Sequence, residues 1–268
     1  MSATTTVLAP STIDITHDQP VPFGRHVSVE TRKVFDTRAG RWLTGSILGL
    51  VLLVVGVGVF AFPEDAQDHI TMLSITGGVL GAFLPILMIM LVTSEWSQRT
   101  GLTTFTLEPR RPRVIAAKVT AGLGLAAVVT ALAAAIAAIG VALSPANGGE
   151  AVWNLGANEV RNFLLGNLIG ILVGFTLAML LRNSAAAIVA YFVYSLILPS
   201  VMELLVQLVD GFDKVAPWVE FNYAQMPLFA GDYTATGQQW AQIAVTGTVW
   251  LLVPFALGLR RLVTADVK

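Results

Sequence analysis

The stretch TMLSITGGVLGAFLPILMIMLVT, residues 71–93, decides the fold class, because it is one continuous apolar run without a charged residue. An α-helix rises about 1.5 Å per residue, so roughly 20 apolar residues are enough to cross a hydrocarbon core of about 30 Å. Pro85 lies inside the run and removes one backbone donor. The stretch therefore predicts a membrane-spanning helix with a kink at Pro85.

Five further runs have the same character, and two of them contain a proline, Pro199 and Pro254, which also predict kinks. The whole composition agrees: 55% of the 268 residues are hydrophobic and 12% are charged, whereas charged residues make up roughly a quarter of a soluble domain. The sequence predicts an all-α membrane protein. Its six predicted transmembrane helices cover residues 42–62, 71–93, 114–143, 160–181, 184 to about 205, and 240–259.

The distribution of Lys and Arg predicts the orientation, because basic residues near the ends of spans are retained in the cytoplasm. With the N-terminus inside, the outer segments hold only Arg161 and Lys214 of the 16 basic residues. An even number of spans then places both termini in the cytoplasm. Three regions are predicted: a disordered cytoplasmic tail over residues 1–22, an interfacial amphipathic helix over 23–41, and a six-span domain over 42–268.

The interfacial helix is predicted from the spacing of its apolar residues. Val27, Val34 and Phe35 recur at intervals of seven or eight, while Arg32 and Lys33 fall elsewhere on the helical wheel. We expect the apolar side to lie in the headgroup layer and the basic side to face anionic lipid. Membrane lipid is therefore an expected partner of this helix.

The long outer segment 198–233 leaves two interpretations open. Glu203, Gln207 and Asp210 stand at i, i+4 and i+7, on one face of a helix. That face either contacts water at the outer surface, or it belongs to short re-entrant helices between spans five and six. In the second case Glu203 lines an outer exit, because an ionisable group at membrane depth usually faces protein or a watery cavity. The predicted fold includes the re-entrant helices.

The sequence contains no recognisable catalytic or cofactor-binding pattern. His17, His26 and His69 lack the spacing of a metal site, and no phosphate-binding G-x-x-x-x-G-K-[ST] motif is present. The spans lack the chain of ionisable residues expected of a proton-driven pump. The net charge of −1 gives no sign of nucleic-acid binding. We expect no enzymatic activity and no cofactor in this chain, so energy for transport would enter from another subunit.

The most basic loop is SEWSQRTGLTTFTLEPRRPRVIAAK, residues 94–118, which follows the second span on the cytoplasmic side. Glu95 can cap the helix end there, or pair with Arg99 and with Arg111, Arg113 or Lys118. Anchoring to lipid headgroups would explain the positive charge of the loop. It would not explain Glu95 or the apolar Phe105 in a cytoplasmic turn, which favour a docking surface.

This loop resembles the loop between spans two and three of ABC-2 type transporter permeases. The residues that match the family pattern are Glu95, Trp96, Thr100, Thr104, Pro109, Arg111, Arg113, Ala117 and Lys118. The stretch ETRKVFDTR resembles a second family element, at Glu30, Lys33, Thr37 and Arg38. The resemblance covers nearly the whole chain.

The resemblance implies a permease subunit in the bacterial cell membrane. Two such subunits, as a homodimer or a heterodimer, would bind two separate ATP-binding subunits, which would hold ATP and Mg. The loop over residues 94–113 would carry the helix that couples to the ATPase, and short re-entrant helices would cap the outer side. The implied coupling residues are Glu95, Trp96, Arg99, Thr100, Thr104, Phe105, Pro109, Arg111, Arg113 and Lys118, with Glu30, Lys33, Phe35 and Arg38 on the interfacial helix.

The substrate is predicted only as a class. The spans are mostly Ala, Val, Leu and Gly, which favours a hydrophobic or amphipathic substrate, and the family resemblance implies export. Candidates for the lumen or the outer gate are Phe83, Met88, Tyr191, Tyr194, Ser195 and Glu203, although Met and aromatic residues at helical spacing also serve as plain packing. The alternative function is a non-transporting assembly, immunity or sensor protein that binds a cytoplasmic partner through the same loop.

Overall fold

The computed structural model of the chain describes residues 21–97, 110–229 and 235–264. Every regular element in these three ranges is helical, so the predicted all-α class is confirmed for them. The predicted tail, up to residue 20, lies outside the described residues, and so does most of the predicted coupling loop, residues 98–109.

The α-helices are numbered here in chain order. They are α1 Phe23–Asp36, α2 Arg38–Ala61, α3 His69–Ser97, α4 Arg111–Leu143, α5 Ala157–Leu181, α6 Ser184–Phe192, α7 Leu198–Leu208, α8 Ala216–Val219, α9 Phe221–Gln225, α10 Gly237–Gly247 and α11 Val253–Thr264. Two π-helical turns, Val193–Ile197 and Thr248–Leu252, join α6 to α7 and α10 to α11.

Six helices in the described ranges are long and apolar enough to cross a membrane, which confirms the six predicted spans. They cover Arg38–Ala61, His69–Trp96, Pro112–Asn147, Ala157–Leu181, Ser184–Leu208 and Gly237–Arg261. Most of them extend a few residues past the predicted runs, because the polar residues at helix ends do not show in an apolar pattern.

The corner between α1 and α2 corrects the predicted helix over residues 23–41. Thr37 has an extended backbone, with φ −86° and ψ 140°, and its hydroxyl accepts a 3.0 Å hydrogen bond from the Gly40 N–H. A Cβ on Gly40 would lie 2.0 Å from the Val34 backbone oxygen, so only glycine fits this corner. The first helix therefore ends at Asp36, and residues 38–41 belong to the first span.

Two of the span prolines follow π-helical turns. Pro199 comes two residues after the turn Val193–Ile197, and Pro254 comes two residues after Thr248–Leu252. A proline removes the donor of an i→i−4 bond and its ring collides with the carbonyl of the preceding turn. A wider local turn relieves both problems while the helix continues. The structure thus shows how spans five and six each remain helical through a proline.

Helix α3 forms the centre of the bundle. Of its apolar window, 56% is buried, against 28% for α2 and 17% for the last span. It packs most extensively on α5, and also on α2, α4 and α6. The α3–α5 contact is close at Pro85, because a Cβ added to Gly174 would lie 2.8 Å from the Pro85 backbone oxygen.

The two ends of the bundle contain different elements. At one end, here called the α1 end, α1 packs on α4 and α3, and Arg182 of the α5–α6 connection contacts Trp96 near the end of α3. At the opposite end, the His69 N–H donates to the Val152 backbone oxygen, which joins the connections before α3 and before α5. Residues 98–109 follow α3 and precede α4 in the sequence. The last turn of α3 and the first turn of α4 both lie at the α1 end.

Candidate functional site

Four charged residues from three helices meet at the α1 end and are here called the charge cluster: Glu30 and Lys33 on α1, Glu95 on α3 and Lys118 on α4. Lys33 Nζ and Lys118 Nζ each lie 2.6 Å from a different carboxylate oxygen of Glu30. Glu95 Oε1 lies 3.3 Å from Lys33 Nζ and 3.2 Å from Lys118 Nζ. Carboxylates and ammonium groups therefore alternate around a closed ring with no net charge.

The cluster is removed from solvent. Glu30, Lys118 and Glu95 are 4%, 3% and 1% exposed, and Lys33 is half-buried. Burying an ion costs several kcal/mol, and the attraction of close partners offsets that cost only when the pairing is good. The balanced ring supplies that pairing, although Glu95 Oε2 has no hydrogen-bond partner among the described residues.

The pKa of Lys33 reflects this competition. Burial by itself would lower the pKa of this ammonium group, because a low dielectric disfavours the charged form. The hydrogen bond and charge of Glu30, with the charge of Glu95, outweigh burial and raise the pKa of Lys33 above its usual value. The ammonium form of Lys33 is therefore stabilised in the folded protein.

The local sequence of α1 explains why its charges point inward. Glu30 and Val34 are four residues apart, and both are buried on the same face of the helix. Val27, one turn before Glu30, packs against the same core. Glu95 lies two residues before the end of α3 and Lys118 lies in the second turn of α4. The cluster thus joins α1 to both helix ends that flank residues 98–109.

A second bond strengthens the connection between α1 and α4. The guanidinium Nη2 of Arg113 donates a 2.7 Å hydrogen bond to the backbone oxygen of Val21, just before α1. Arg113 precedes Lys118 by five residues on α4, so two separate points of α4 contact the α1 region. The start of α4 and α1 therefore form one unit in the structure.

The end of α3 is also connected to the turn between α5 and α6. Arg182 Cζ lies 5.7 Å from the centre of the Trp96 ring, a cation–π contact. Arg182 has a left-handed backbone, with φ 53°, where α5 ends. One turn before Trp96, the hydroxyls of Thr93 and Ser184 are 2.7 Å apart. Sequence reasoning missed the Thr93–Ser184 and Trp96–Arg182 pairs, because neither has a local signal.

Several predicted coupling residues lie outside the described residues or are described only in part. Arg111 begins α4, and its side chain is not described. Arg38 and Phe35 are exposed near the α1–α2 corner. Lys33 contacts the two buried carboxylates, whereas the sequence predicted that it faces lipid. The predicted coupling residues outside the described ranges are Arg99, Thr100, Thr104, Phe105 and Pro109.

The predicted lumen residues lie at varied depths. Met88, Tyr191 and Tyr194 are buried, and Met88 packs against α4, where a Cβ on Gly122 would lie 2.5 Å from its methyl group. In a single chain these three positions are packed core. Phe83 also packs against this core, and Ser195 is half-buried in the first π-helical turn.

The sixth predicted residue of this group, Glu203, is exposed and accepts hydrogen bonds from the Tyr223 hydroxyl and, at 3.0 Å, from Gln207. Burial and the bond to Glu203 raise the pKa of Tyr223 to about 12. The pair joins α7 to α9, so the predicted gate residue contacts the short helices of the long connection.

The short helices α8 and α9 are attached to both π-helical turns. Glu220 is fully buried and caps α9, with one oxygen accepting from the Tyr223 N–H at 2.7 Å and the other from Asn222 Nδ2 at 2.7 Å. Asn222 also donates to the Tyr194 backbone oxygen at 3.2 Å. The indole N–H of Trp250 donates to the Val219 backbone oxygen at 2.8 Å. Sequence reasoning missed this network.

Among the described residues, no group of three His, Cys, Asp or Glu side chains is placed to hold a metal ion. The sequence matches no protein-family model and no curated protein at a significant level of similarity. A function for this chain is therefore inferred from its own residues and their arrangement.

Proposed function

We propose that this chain is the membrane-spanning permease subunit of an ATP-driven transporter of the ABC-2 type. The observation that carries the proposal is the charge cluster, which joins α1 to the ends of α3 and α4 on either side of residues 98–109. A segment whose two flanking helices are fixed to each other is suited to pass a displacement into the membrane. A flexible loop would absorb the same displacement.

The proposed coupling runs from the ATPase to the spans. A separate ATP-binding subunit binds the segment between α3 and α4 and moves it when ATP closes the ATPase dimer. Because the cluster ties α1, α3 and α4 together, these three helices move as one unit, by a hinge or shear motion. The contacts of α3 with Arg182 and Ser184 extend that unit to the start of α6.

The proposed assembly contains two copies of this chain, as a homodimer or a heterodimer, and two ATP-binding subunits that hold ATP and Mg. It lies in the bacterial cell membrane with both termini in the cytoplasm, and α1 rests at the lipid headgroups. The helices α8 and α9 are the re-entrant pair on the outer side. The transport direction is export, and the substrate is hydrophobic or amphipathic.

The test begins with the reading frame beside that of this chain, which should encode an ATPase with a phosphate-binding loop and no membrane spans, and continues with reconstitution of the two proteins. The two proteins should copurify, and ATP hydrolysis should differ between the free ATPase and the complex in liposomes. Arg113→Glu should lower the ATPase activity that depends on this subunit while the protein remains in the membrane. Lys214→Glu reverses one charge at the opposite end of the bundle and should leave that activity unchanged.

The proposal fails if the neighbouring ATPase does not bind, or if Arg113→Glu and Lys214→Glu give equal activity in a complex of normal stability. Stable binding of a cytoplasmic protein without any ATPase activity would favour the alternative function, a non-transporting assembly, immunity or sensor protein. Arg113 is suited to this test because its side chain bonds a backbone oxygen outside the charge cluster.

A further inference from the structure

A cavity of about 490 Å³ lies between α3, α4 and α5 and is open at the surface of the bundle, since Ala127, Ala131, Leu164 and Leu168 in its wall are exposed. This volume is within the range of small-molecule sites, roughly 300–1,000 Å³. Helix α4 lines it with Ala127, Ala131, Ala134 and Ala138, which are spaced at i, i+4, i+7 and i+11 and so share one face. Alanine side chains are too short to fill the space toward α5. The gap therefore results from the alanine residues on this face of α4.

One buried polar group in the wall of this cavity has an unused hydrogen-bonding atom. Asn167 of α5 is 6% exposed, and its Nδ2 donates a 2.7 Å hydrogen bond to the Phe163 backbone oxygen. That bond fixes the amide orientation, because a carbonyl oxygen can only accept. The other amide atom, Oδ1, is buried and has no hydrogen-bond partner among the described residues. A buried acceptor without a donor is costly, and a bound ligand can supply the donor.

The position of Asn167 restricts the ligand. It lies ten residues past the first residue of α5, which is about 15 Å along the helix. That depth is within the span Ala157–Leu181. Apolar cavities do not hold water well, because a water molecule needs two or more polar partners. A mostly apolar molecule with one hydrogen-bond donor fits the apolar wall and can donate to Asn167 Oδ1.

We propose that the cavity between α3, α4 and α5 binds an aliphatic alcohol, with the alkyl chain along the alanine face of α4 and the hydroxyl donating to Asn167 Oδ1. This site is separate from the predicted lumen, since Phe83, Met88, Tyr191, Tyr194, Ser195 and Glu203 do not line it. The inference does not depend on the proposed transport function.

A neighbouring cavity of about 510 Å³ shares Leu73, Phe163 and Asn167 with the first. Its wall also contains Glu159 and Asn162, and Ser74 is a third polar residue there. These groups have hydrogen-bond partners within the chain, and an alkyl chain would still remove their remaining contact with water, which is costly. The first cavity is therefore the one that fits an aliphatic chain, and Ala131 distinguishes the two because it lines only the first.

The test uses the purified full-length protein in detergent micelles and 1-dodecanol with a photoreactive diazirine on its chain. Illumination followed by peptide mass spectrometry should place the label on residues 126–138 of α4 and 164–171 of α5. Unlabelled 1-dodecanol should compete about fivefold more tightly than dodecane, which matches the net value of one hydrogen bond. Asn167→Leu keeps the approximate volume of the side chain and should make the two competitors equal.

Ala131→Phe extends a ring into the cavity and should reduce the labelling at least fivefold. Ala135→Phe is the matched control, because Ala131 and Ala135 are both exposed on the same helix and only Ala131 lines the cavity. Both variants should unfold at temperatures close to that of the unaltered protein. Equal labelling of the two variants would overturn the proposal, and so would label spread evenly over all spans.

A second copy of the chain is the other candidate occupant of the cavity. The sequence contains no cysteine, so Ala131→Cys places a single thiol in the cavity wall. Under oxidising conditions in liposomes this variant should remain monomeric on a denaturing gel. A high yield of disulfide-linked dimer would show that a second chain covers the cavity, which would overturn the alcohol site.

Discussion

The hydroxyl of Tyr191 on α6 donates a 2.6 Å hydrogen bond to the backbone oxygen of Gly81 on α3. Gly81 is four residues before Pro85, so its oxygen is the acceptor that loses its partner when proline replaces an N–H. Both residues lie within spans, where unpaired backbone groups are costly. The tyrosine therefore satisfies the carbonyl that Pro85 exposes, and joins spans two and five.

Tyr191→Phe should lower the free energy of unfolding by about 1–3 kcal/mol, because the Gly81 oxygen, which lies within a span, is left without a donor. Reversible unfolding in mixed micelles, followed by circular dichroism, measures the change. Tyr194→Phe is the matched control, since the Tyr194 hydroxyl has no hydrogen-bond partner in the described part of the chain. That control should change stability little, and an equal loss in both variants would count against the assignment.

The role of Pro85 in this bond can be tested in the same assay. Pro85→Ala restores an N–H that can bond to the Gly81 oxygen within α3. Tyr191→Phe should then cost less in the Pro85→Ala background than in the unaltered protein. If the two losses are equal, the tyrosine does not compensate for the proline.

Gly174→Ala should separate α3 from α5 at Pro85. The added methyl group would lie 2.8 Å from the Pro85 backbone oxygen and 2.9 Å from its Cβ, and the backbone cannot move aside cheaply. We expect a loss of about 1–3 kcal/mol in the free energy of unfolding. Gly124→Ala is the control, because no atom lies within 4 Å of the added carbon. The opposite ranking of these two variants would contradict the packing argument.

The spans could be predicted from the sequence because their length and apolar character come directly from the bilayer. Six runs were predicted and six helices of that kind are present in the described residues. The helix boundary at Thr37 was missed, since the apolar spacing continues across it. A usable signal was present: threonine is a common N-cap residue, and its hydroxyl bonds the N–H three positions later.

The charge cluster could be predicted only in part. The sequence left four cations as partners for Glu95, and the described residues show Lys118 and also Lys33. Lys118 and Glu30 are 88 positions apart, and Lys33 and Glu95 are 62 apart. Pairs at such separation depend on how helices pack, which local patterns do not encode. The buried Glu220 was also missed, although its bonds to Asn222 and to the Tyr223 N–H are local.

Lys118→Met should be among the most destabilising single changes in the chain. It removes one cation from the buried ring and leaves Glu30 and Glu95 sharing Lys33, so we expect a loss of about 3–5 kcal/mol in the free energy of unfolding. Adding Glu30→Gln restores the charge balance and should recover part of that loss. The free energies of unfolding of Lys118→Met, Glu30→Gln and the double variant, measured in micelles, give the coupling energy between the two positions. Simple addition of the two losses would show that the ring does not act as a unit.

The stability that Lys33 contributes should disappear in alkaline solution. Its pKa is raised in the folded state, above the usual 10.5, so its contribution is complete below pH 10.5 and is lost as the pH rises through the folded pKa. The difference in unfolding free energy between the unaltered protein and Lys33→Met should therefore be constant up to about pH 10.5 and shrink above it. Lys33→Arg stays charged beyond pH 12, so its difference from Lys33→Met should not shrink. The difference in unfolding free energy between the unaltered protein and Lys33→Met could instead widen as the pH rises. That result would show that burial, and not the two carboxylates, dominates at this site.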